Sequence, residues 1–279
     1  MILRFMSLFA VFCLVLCETA SAGSISVSPT TLNLVTSGEA GSSVTVTNSS
    51  TTPVNIQARV LRWTQVDGKD RLDATEEVAV SPPIIQVPPG VDQVIRIVRL
   101  SQQPVIGEEA YRLLVDELPS SVRLPAASVR LVVRQSIPVF FCSPVAAIEP
   151  LSFELSRAGN ATRAVGTNRG DVHQKITALT IKDGRGTVRY SKSGLVGYVL
   201  GKSSFAWNAP MMDAGPASVL GRTEHGPISL VISCQTRHEP HREGTGHVPF
   251  AMVERKPGQV SEDTVVQLDR HQAGRPLPQ

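Results

Sequence analysis

Between Val54 and Arg62 the apolar residues Val54, Ile56, Ala58 and Val60 fall on every second position, with Asn55, Gln57 and Arg59 between them. A period of two lines up one face of an extended strand and cannot line up one face of a helix. Related short runs recur from Ser24 onward. Ser24 to Leu34 alternates loosely and is broken by Pro29, which points to an edge strand or a bulge. Ser42 to Thr47 reads S-S-V-T-V-T, and Asn48 to Pro53 is a turn cluster. Asp67-Gly68 marks a turn, Ser81 to Gly90 is proline-rich and extended, and Val94 to Leu100 and Ala110 to Leu118 read as strands. Ser128 to Phe141 is long and β-rich, with Pro138 near its end. Aromatics make up only 5% of the chain while Val, Thr, Ser and Pro are plentiful, a balance that favours strands joined by turns. Strands at this spacing, with no amphipathic helix between them, predict an antiparallel sandwich of immunoglobulin type.

After Ser143-Pro144 the pattern restarts. Leu151 to Leu155, Thr162 to Asn168, Lys175 to Lys182, Thr187 to Tyr190, Ser204 to Trp207 and Pro227 to Ser233 are candidate strands, and Gly184 and Gly186 mark a hairpin. From Gln235 the text turns to His, Arg, Glu, Pro and Gly, with a short apolar patch at Val248 to Val253. The expected organisation is a leader over 1–22, one domain over 23–143, a second over 144–234 with Pro144 near the hinge, and an irregular tail over 235–279. The fold class is all-β, two immunoglobulin-like β-sandwich domains in a boomerang arrangement.

The leader assignment follows from Arg4, the apolar run Phe5 to Cys17, and Ala20-Ser21-Ala22 before Gly23, which together make a secretory signal with its cleavage site. Leu16 is too large for the residue before a lipid-carrying Cys17. No later segment is long and apolar enough to span a bilayer. The mature chain is therefore expected to be soluble outside the cytoplasm. Cleavage leaves the formal charge at +3, because Arg4 and Glu18 depart together. That mild balance, without a long basic run, argues against nucleic acid as a partner. Cys142 and Cys234 remain, and the sequence allows either a disulfide or two thiols.

Several segments resemble the periplasmic chaperones of the chaperone–usher pilus pathway, especially its archaic branch. S-I-S-V-S-P-T-T-L-N-L is similar to their first strand, and P-P-I-I-Q-V-P-P-G-V-D-Q-V-I-R-I-V-R at Pro82 to Arg99 to a proline-rich connection and strand. E-A-Y-R-L-L-V-D-E-L-P at Glu109 to Pro119 and S-I-P-V-F-F at Ser136 to Phe141 resemble the last two strands of the first domain. N-R-G-D-V-H at Asn168 to His173 and G-L-V-G-Y-V-L at Gly194 to Leu200 fit the second domain. The tail does not match well.

The resemblance implies a periplasmic protein whose partners are pilin subunits and an outer-membrane usher, with no cofactor. Such chaperones lend a strand to subunits that lack one, supplying main-chain hydrogen bonds and alternating side chains. Here the lent strand would present Val129, Leu131 and Val133 on one face, with Ile137 farther along, and Arg130, Val132 and Arg134 on the other. Burying each apolar side chain contributes roughly 1.5–3 kcal/mol. The same face can instead belong to the protein's own core. The better-known branches hold the subunit's C-terminal carboxylate with a basic pair, but the matching positions are Thr31 and Pro138. Arg96, Arg99 and Arg112 are the replacement candidates, since arginine binds carboxylates bidentately. Each can equally be a solvated residue or half of an internal ion pair.

Catalytic motifs fail on spacing. Gly197 to Ser203 nearly reads as a phosphate loop, but Val196 stands where the first glycine belongs. His238-Glu239-Pro240-His241-Arg242 lacks the second histidine of a zinc-protease helix, and Pro240 would break that helix. No catalytic or metal-binding residue is assigned, and the chain is expected not to be an enzyme. The rival readings are an exported adhesive protein of immunoglobulin type and a metal enzyme using the histidines of the tail.

Overall fold

Residues 25–36, 40–119, 132–158 and 160–236 are described by the structure, a computed structural model. They form strands β1 (Ile25–Ser28), β2 (Leu32–Val35), β3 (Ala40–Asn48), β4 (Val54–Val66), β5 (Lys69–Ala74), β6 (Val78–Ser81), β7 (Ile84–Val87), β8 (Asp92–Arg99), β9 (Glu108–Glu117) and β10 (Arg134–Cys142) in the first body. The second body holds β11 (Ser152–Ala158), β12 (Ala161–Asn168), β13 (Gln174–Asp183), β14 (Val188–Val199), β15 (Ser203–Pro210), β16 (Gly215–Thr223) and β17 (Gly226–Thr236). Among the described residues there is no helix. The leader and the tail beyond Thr236 lie outside the described residues, as do Val129 and Leu131.

Two sheets face each other in the first sandwich. One runs β1-β3-β8-β6; the other runs β2-β10-β9-β4-β5, with β7 also on β4. Val54, Ile56, Ala58 and Val60 all turn inward, as their period of two requires. They meet Val44, Val46, Ile95, Ile97, Leu113, Val139 and Phe141 in one core. The break at Pro29 marks a change of sheet. Before it β1 pairs antiparallel with β3, and after it β2 pairs in parallel with Val139–Cys142 of β10. Asp67 and Gly68, with φ of 54° and 75°, form the two-residue turn between β4 and β5. Positive φ at both positions matches the strand twist and suits Asp-Gly.

The second sandwich is a seven-stranded sheet, β14-β13-β16-β17-β11-β12-β15, folded over its own core of Phe153, Leu155, Ile176, Leu179, Ile181 and Val219. The β13–β14 hairpin turns where Gly184 and Gly186 were expected to place it, with the Gly186 amide donating to the Asp183 carbonyl at 2.9 Å. The sequence reading has no counterpart for β5, β6 or β16. β5 is charged at Lys69, Asp70, Arg71 and Asp73, and Gly215-Pro216 obscures the start of β16. Cys142 and Cys234 are both free thiols, Cys234 within the core of the second sandwich. That settles the alternative left open by the sequence in favour of two thiols.

Candidate functional site

Each strand of the second sheet has an outward face, and on three of them that face becomes buried toward the second sandwich. On β4 the inward set ends at Val60; Trp63, of opposite parity, is buried on the other side. On β9, Ala110, Arg112 and Leu114 are outward and buried, and on β10 so is Phe140. Trp63, Ala110 and Phe140 cluster with Tyr198 and Leu200 of the second sandwich. Tyr198 meets Trp63 edge to face at 5.4 Å, a favoured aromatic geometry. His173 stacks flat on Phe140 at 3.6 Å. Its Nδ1 lies 2.7 Å from Glu108, and Glu108 also accepts from the His173 amide at 2.9 Å.

The tip of the β4–β5 hairpin reaches the second sandwich through main chain. The Ala206 amide donates to the Gly68 carbonyl at 3.0 Å. Arg163 donates to the Asp67 carbonyl at 2.8 Å. Gln65 donates to the Tyr198 carbonyl at 2.9 Å and accepts from the Leu200 amide at 2.9 Å. A Cβ at Gly68 would come within 2.9 Å of the Ala206 Cβ, so glycine is needed for the approach as well as for the turn.

Arg112 occupies the middle of this junction. Its guanidinium lies 3.7 Å from the centre of the Trp63 ring and 5.4 Å from that of Tyr198. It stands opposite Pro138 in the β9–β10 register. Toward the start of β10 the same outward face carries Asp116, which accepts from Arg59 at 2.6 Å and also from Arg134.

The open edge of β10 lies beside this face. On the side opposite β9, β2 pairs only with Val139–Cys142. Arg134–Pro138 has no strand partner there among the described residues, although the Gln135 side chain donates to the Ile25 carbonyl at 2.9 Å. The shift of β1 into the other sheet leaves this length uncovered.

The residues singled out in the sequence therefore separate. Ile137 is 3% exposed and belongs to the sandwich's own core, which corrects its assignment to a docking face. Val133 is half-buried just before β10, and its carbonyl accepts from the Glu117 amide at 3.0 Å. Arg99 is not an available anchor. It is 2% exposed and grips Glu109 with two hydrogen bonds of 2.8 Å, while also reaching the Gln103 carbonyl. Burial raises the Glu109 carboxyl, but the hydrogen bond and charge of Arg99 outweigh it and hold that carboxyl below its ordinary range. Arg96 is exposed on β8, in the sheet on the far side of the core, and does not face the junction. Thr31 lies between β1 and β2, its hydroxyl on the Thr30 carbonyl at 2.8 Å. Trp63, Phe140, His173 and Tyr198 were missed. A signal was present for Trp63: the apolar positions change parity after Val60, which means a second buried face. Among the described residues no group of three His, Cys, Asp or Glu converges as a metal site, and no helix is long and apolar enough to cross a membrane.

Comparison with known proteins agrees with this architecture. No curated protein matches the chain by sequence. Among solved structures, a chain of the CsuC–CsuE chaperone–tip adhesion subunit pre-assembly complex, from archaic chaperone–usher Csu pili of Acinetobacter baumannii, superposes with a TM-score of 0.56 at 21% identity, over 77% of this chain and 100% of that one. A chain of the Salmonella enterica SafA pilin–SafB chaperone complex gives 0.54 at 15% identity, covering 77% and 99%. The YadV chaperone gives 0.54 at 15%, covering 76% and 100%. At these identities the likeness shows the shared two-domain immunoglobulin-like fold. The first sandwich is matched more directly: residues 24–145 fit the family described as "Pili and flagellar-assembly chaperone, PapD N-terminal domain". With its sheets and its strand exchange at Pro29 in place, the first sandwich of this chain matches the N-terminal domain of the pili and flagellar-assembly chaperones.

Proposed function

We propose that this protein is a periplasmic chaperone of the archaic type that binds pilus subunits by adding β10 and the residues before it to them, and passes them to an outer-membrane usher. In this reading 1–22 is a cleaved signal, 23–143 and 144–234 are the two domains, and the protein acts by binding without catalysis. The carrying observation is the uncovered length of β10 at Arg134–Pro138. An edge with unpaired amides and carbonyls is a template for another strand. The side of β10 on which Ile137 closes the core continues through Gln135 to Val133, and in sequence to Leu131 and Val129. Gln135 marks where the protein's own core ends, and the apolar residues before it would fill a subunit's groove.

Arg112 is the carboxylate anchor in this reading. It stands across one strand pair from Pro138, where the resemblance expects a basic residue. Directly opposed side chains on one sheet face have Cβ atoms about 4.5–5.5 Å apart, so the charge is moved by one strand and kept on the same face. The surrounding rings of Trp63, Tyr198 and Phe140 lower the local dielectric and strengthen a carboxylate–guanidinium contact.

The test is co-expression of the tagged mature chain with a pilin from its own genome, asking for a one-to-one complex that spares the pilin from degradation. Leu131→Arg, in a variant that still folds, should abolish capture. Unimpaired capture by that variant would sink strand addition and favour an adhesive role for the two sandwiches.

A further inference from the structure

The sheet that holds β10 has two edges with opposite treatment, the near one made of β2 and the length of β10 that β2 leaves uncovered. At the far edge β5 carries Lys69, Asp70, Arg71 and Asp73, charges that blunt edge-to-edge pairing. At the near edge Arg134–Pro138 carries no such string, and its flanking outward face is basic, with Arg59, Arg112 and Arg134 against Asp116. A template of this kind invites any acidic strand that can reach it.

One sequence of that character lies in the same chain. Beyond β17, outside the described residues, Ser261–Asp269 reads S-E-D-T-V-V-Q-L-D. It holds no proline or glycine, and Thr264, Val266 and Leu268 alternate with Val265 and Gln267. Glu262, Asp263 and Asp269 supply three negative charges with no lysine or arginine within 261–269, and Arg270 follows, leaving the segment with a net charge of −2 over 261–270. The Val248–Val253 patch is a poorer match, because Pro249 removes an amide and Arg255 and Lys256 follow closely.

The reach is sufficient. β17 runs parallel to β11, which leaves the inter-domain connection at Ser152, so Thr236 lies toward the end of the second sandwich remote from β10. A strand the length of β11 covers about 23 Å. A chain of the length of 237–263, treated as a random coil, has a root-mean-square span on the order of 30 Å and a much longer full extension. Tethering at that span corresponds to an effective concentration up to the millimolar range.

We propose that Thr264–Leu268 of the chain's own C-terminal segment pairs with the open edge of β10 at Arg134–Pro138, covering it until an incoming strand displaces the segment. The proposal rests on the reading of β10 as the strand-adding edge. A short tethered strand lowers the apparent affinity for partners and keeps the empty edge from pairing with other chains.

Hydrogen exchange on the full mature chain, without any subunit, tests it. Deletion of 261–279 removes none of the described strands, and circular dichroism should be unchanged. The edge-facing amides of the 134–137 segment should exchange at least tenfold faster in the deleted chain, and Glu262→Lys with Asp263→Lys should give most of the same increase. Equal exchange in the full and deleted chains overturns the proposal. So does protection that rises with protein concentration together with a doubled mass, which would make a second copy the occupant. Pilin capture measured in parallel separates the two readings. Capture by both chains, tighter in the deleted one, supports both. Absence of capture in both sinks strand addition and leaves the exchange result to decide the tail contact.

Discussion

The guanidinium of Arg112 lies 3.7 Å from the centre of the Trp63 ring, in a junction that both sandwiches close. Stacking on an aromatic face fixes the plane of the guanidinium. Arg112→Met preserves the length of the side chain and removes its charge. Pilin capture should weaken by at least tenfold, and unfolding stability should fall by up to about 2 kcal/mol, the scale of a desolvated cation–π contact. Arg112→Lys should recover only part of the capture. Surface-immobilised pilin and a urea titration provide the two readings.

Arg96 and Ile97 are neighbours on β8 with opposite fates. Ile97 is fully buried in the first core, whereas Arg96 faces solvent. Ile97→Ala should cost about 2–5 kcal/mol in chemical unfolding. Arg96→Ala should stay within about 0.5 kcal/mol and leave capture unchanged. A large loss of capture in Arg96→Ala would move the carboxylate anchor away from Arg112.

Acid should loosen the first sandwich through Glu109. Its carboxyl is held below the ordinary range in the folded chain, so the unfolded chain takes up the proton first as pH falls. The stabilisation is present above the unfolded value and disappears as pH drops through the folded one. Stability measured between neutrality and acid should therefore decline on the acid side of the ordinary carboxylate range. Glu109→Gln, which removes the titrating group but leaves Arg99 buried, should be less stable at neutral pH and show a shallower acid decline.

The two thiols should behave differently from a disulfide. Burial pushes the Cys142 and Cys234 thiols up, which keeps them protonated and slow to react. A thiol reagent should find two groups per mature chain in denaturant and little reaction in the native state, with Cys234 the slower. A single disulfide-linked species after export would contradict the separation of the two cores.

Much of the β architecture was legible because its period is local. Val54, Ile56, Ala58 and Val60 announce an inward face without knowledge of what they meet, and Asp67-Gly68 announces a turn. Pro29 signals a break in the first strand but not that the two pieces join opposite sheets, which depends on pairing with β3 and β10. The three arginines were indistinguishable in sequence because each is simply a cation on a strand. What separates them is distant: Glu109 for Arg99, Trp63 for Arg112 and open solvent for Arg96. Ile137 was misplaced for a related reason. It shares the parity of Val133, and only the extent of the core shows where that face stops belonging to the protein itself.

The carbonyl of Gly68 that receives the Ala206 amide has no side chain at either end of the bond. The angle between the two sandwiches is thus partly written in main chain, at a point away from the arginine and the rings. In the reading proposed above, substitution of Arg112 changes which chain terminus is accepted while the Gly68–Ala206 contact keeps its place. A cleft built this way can diversify its preferences faster than its shape.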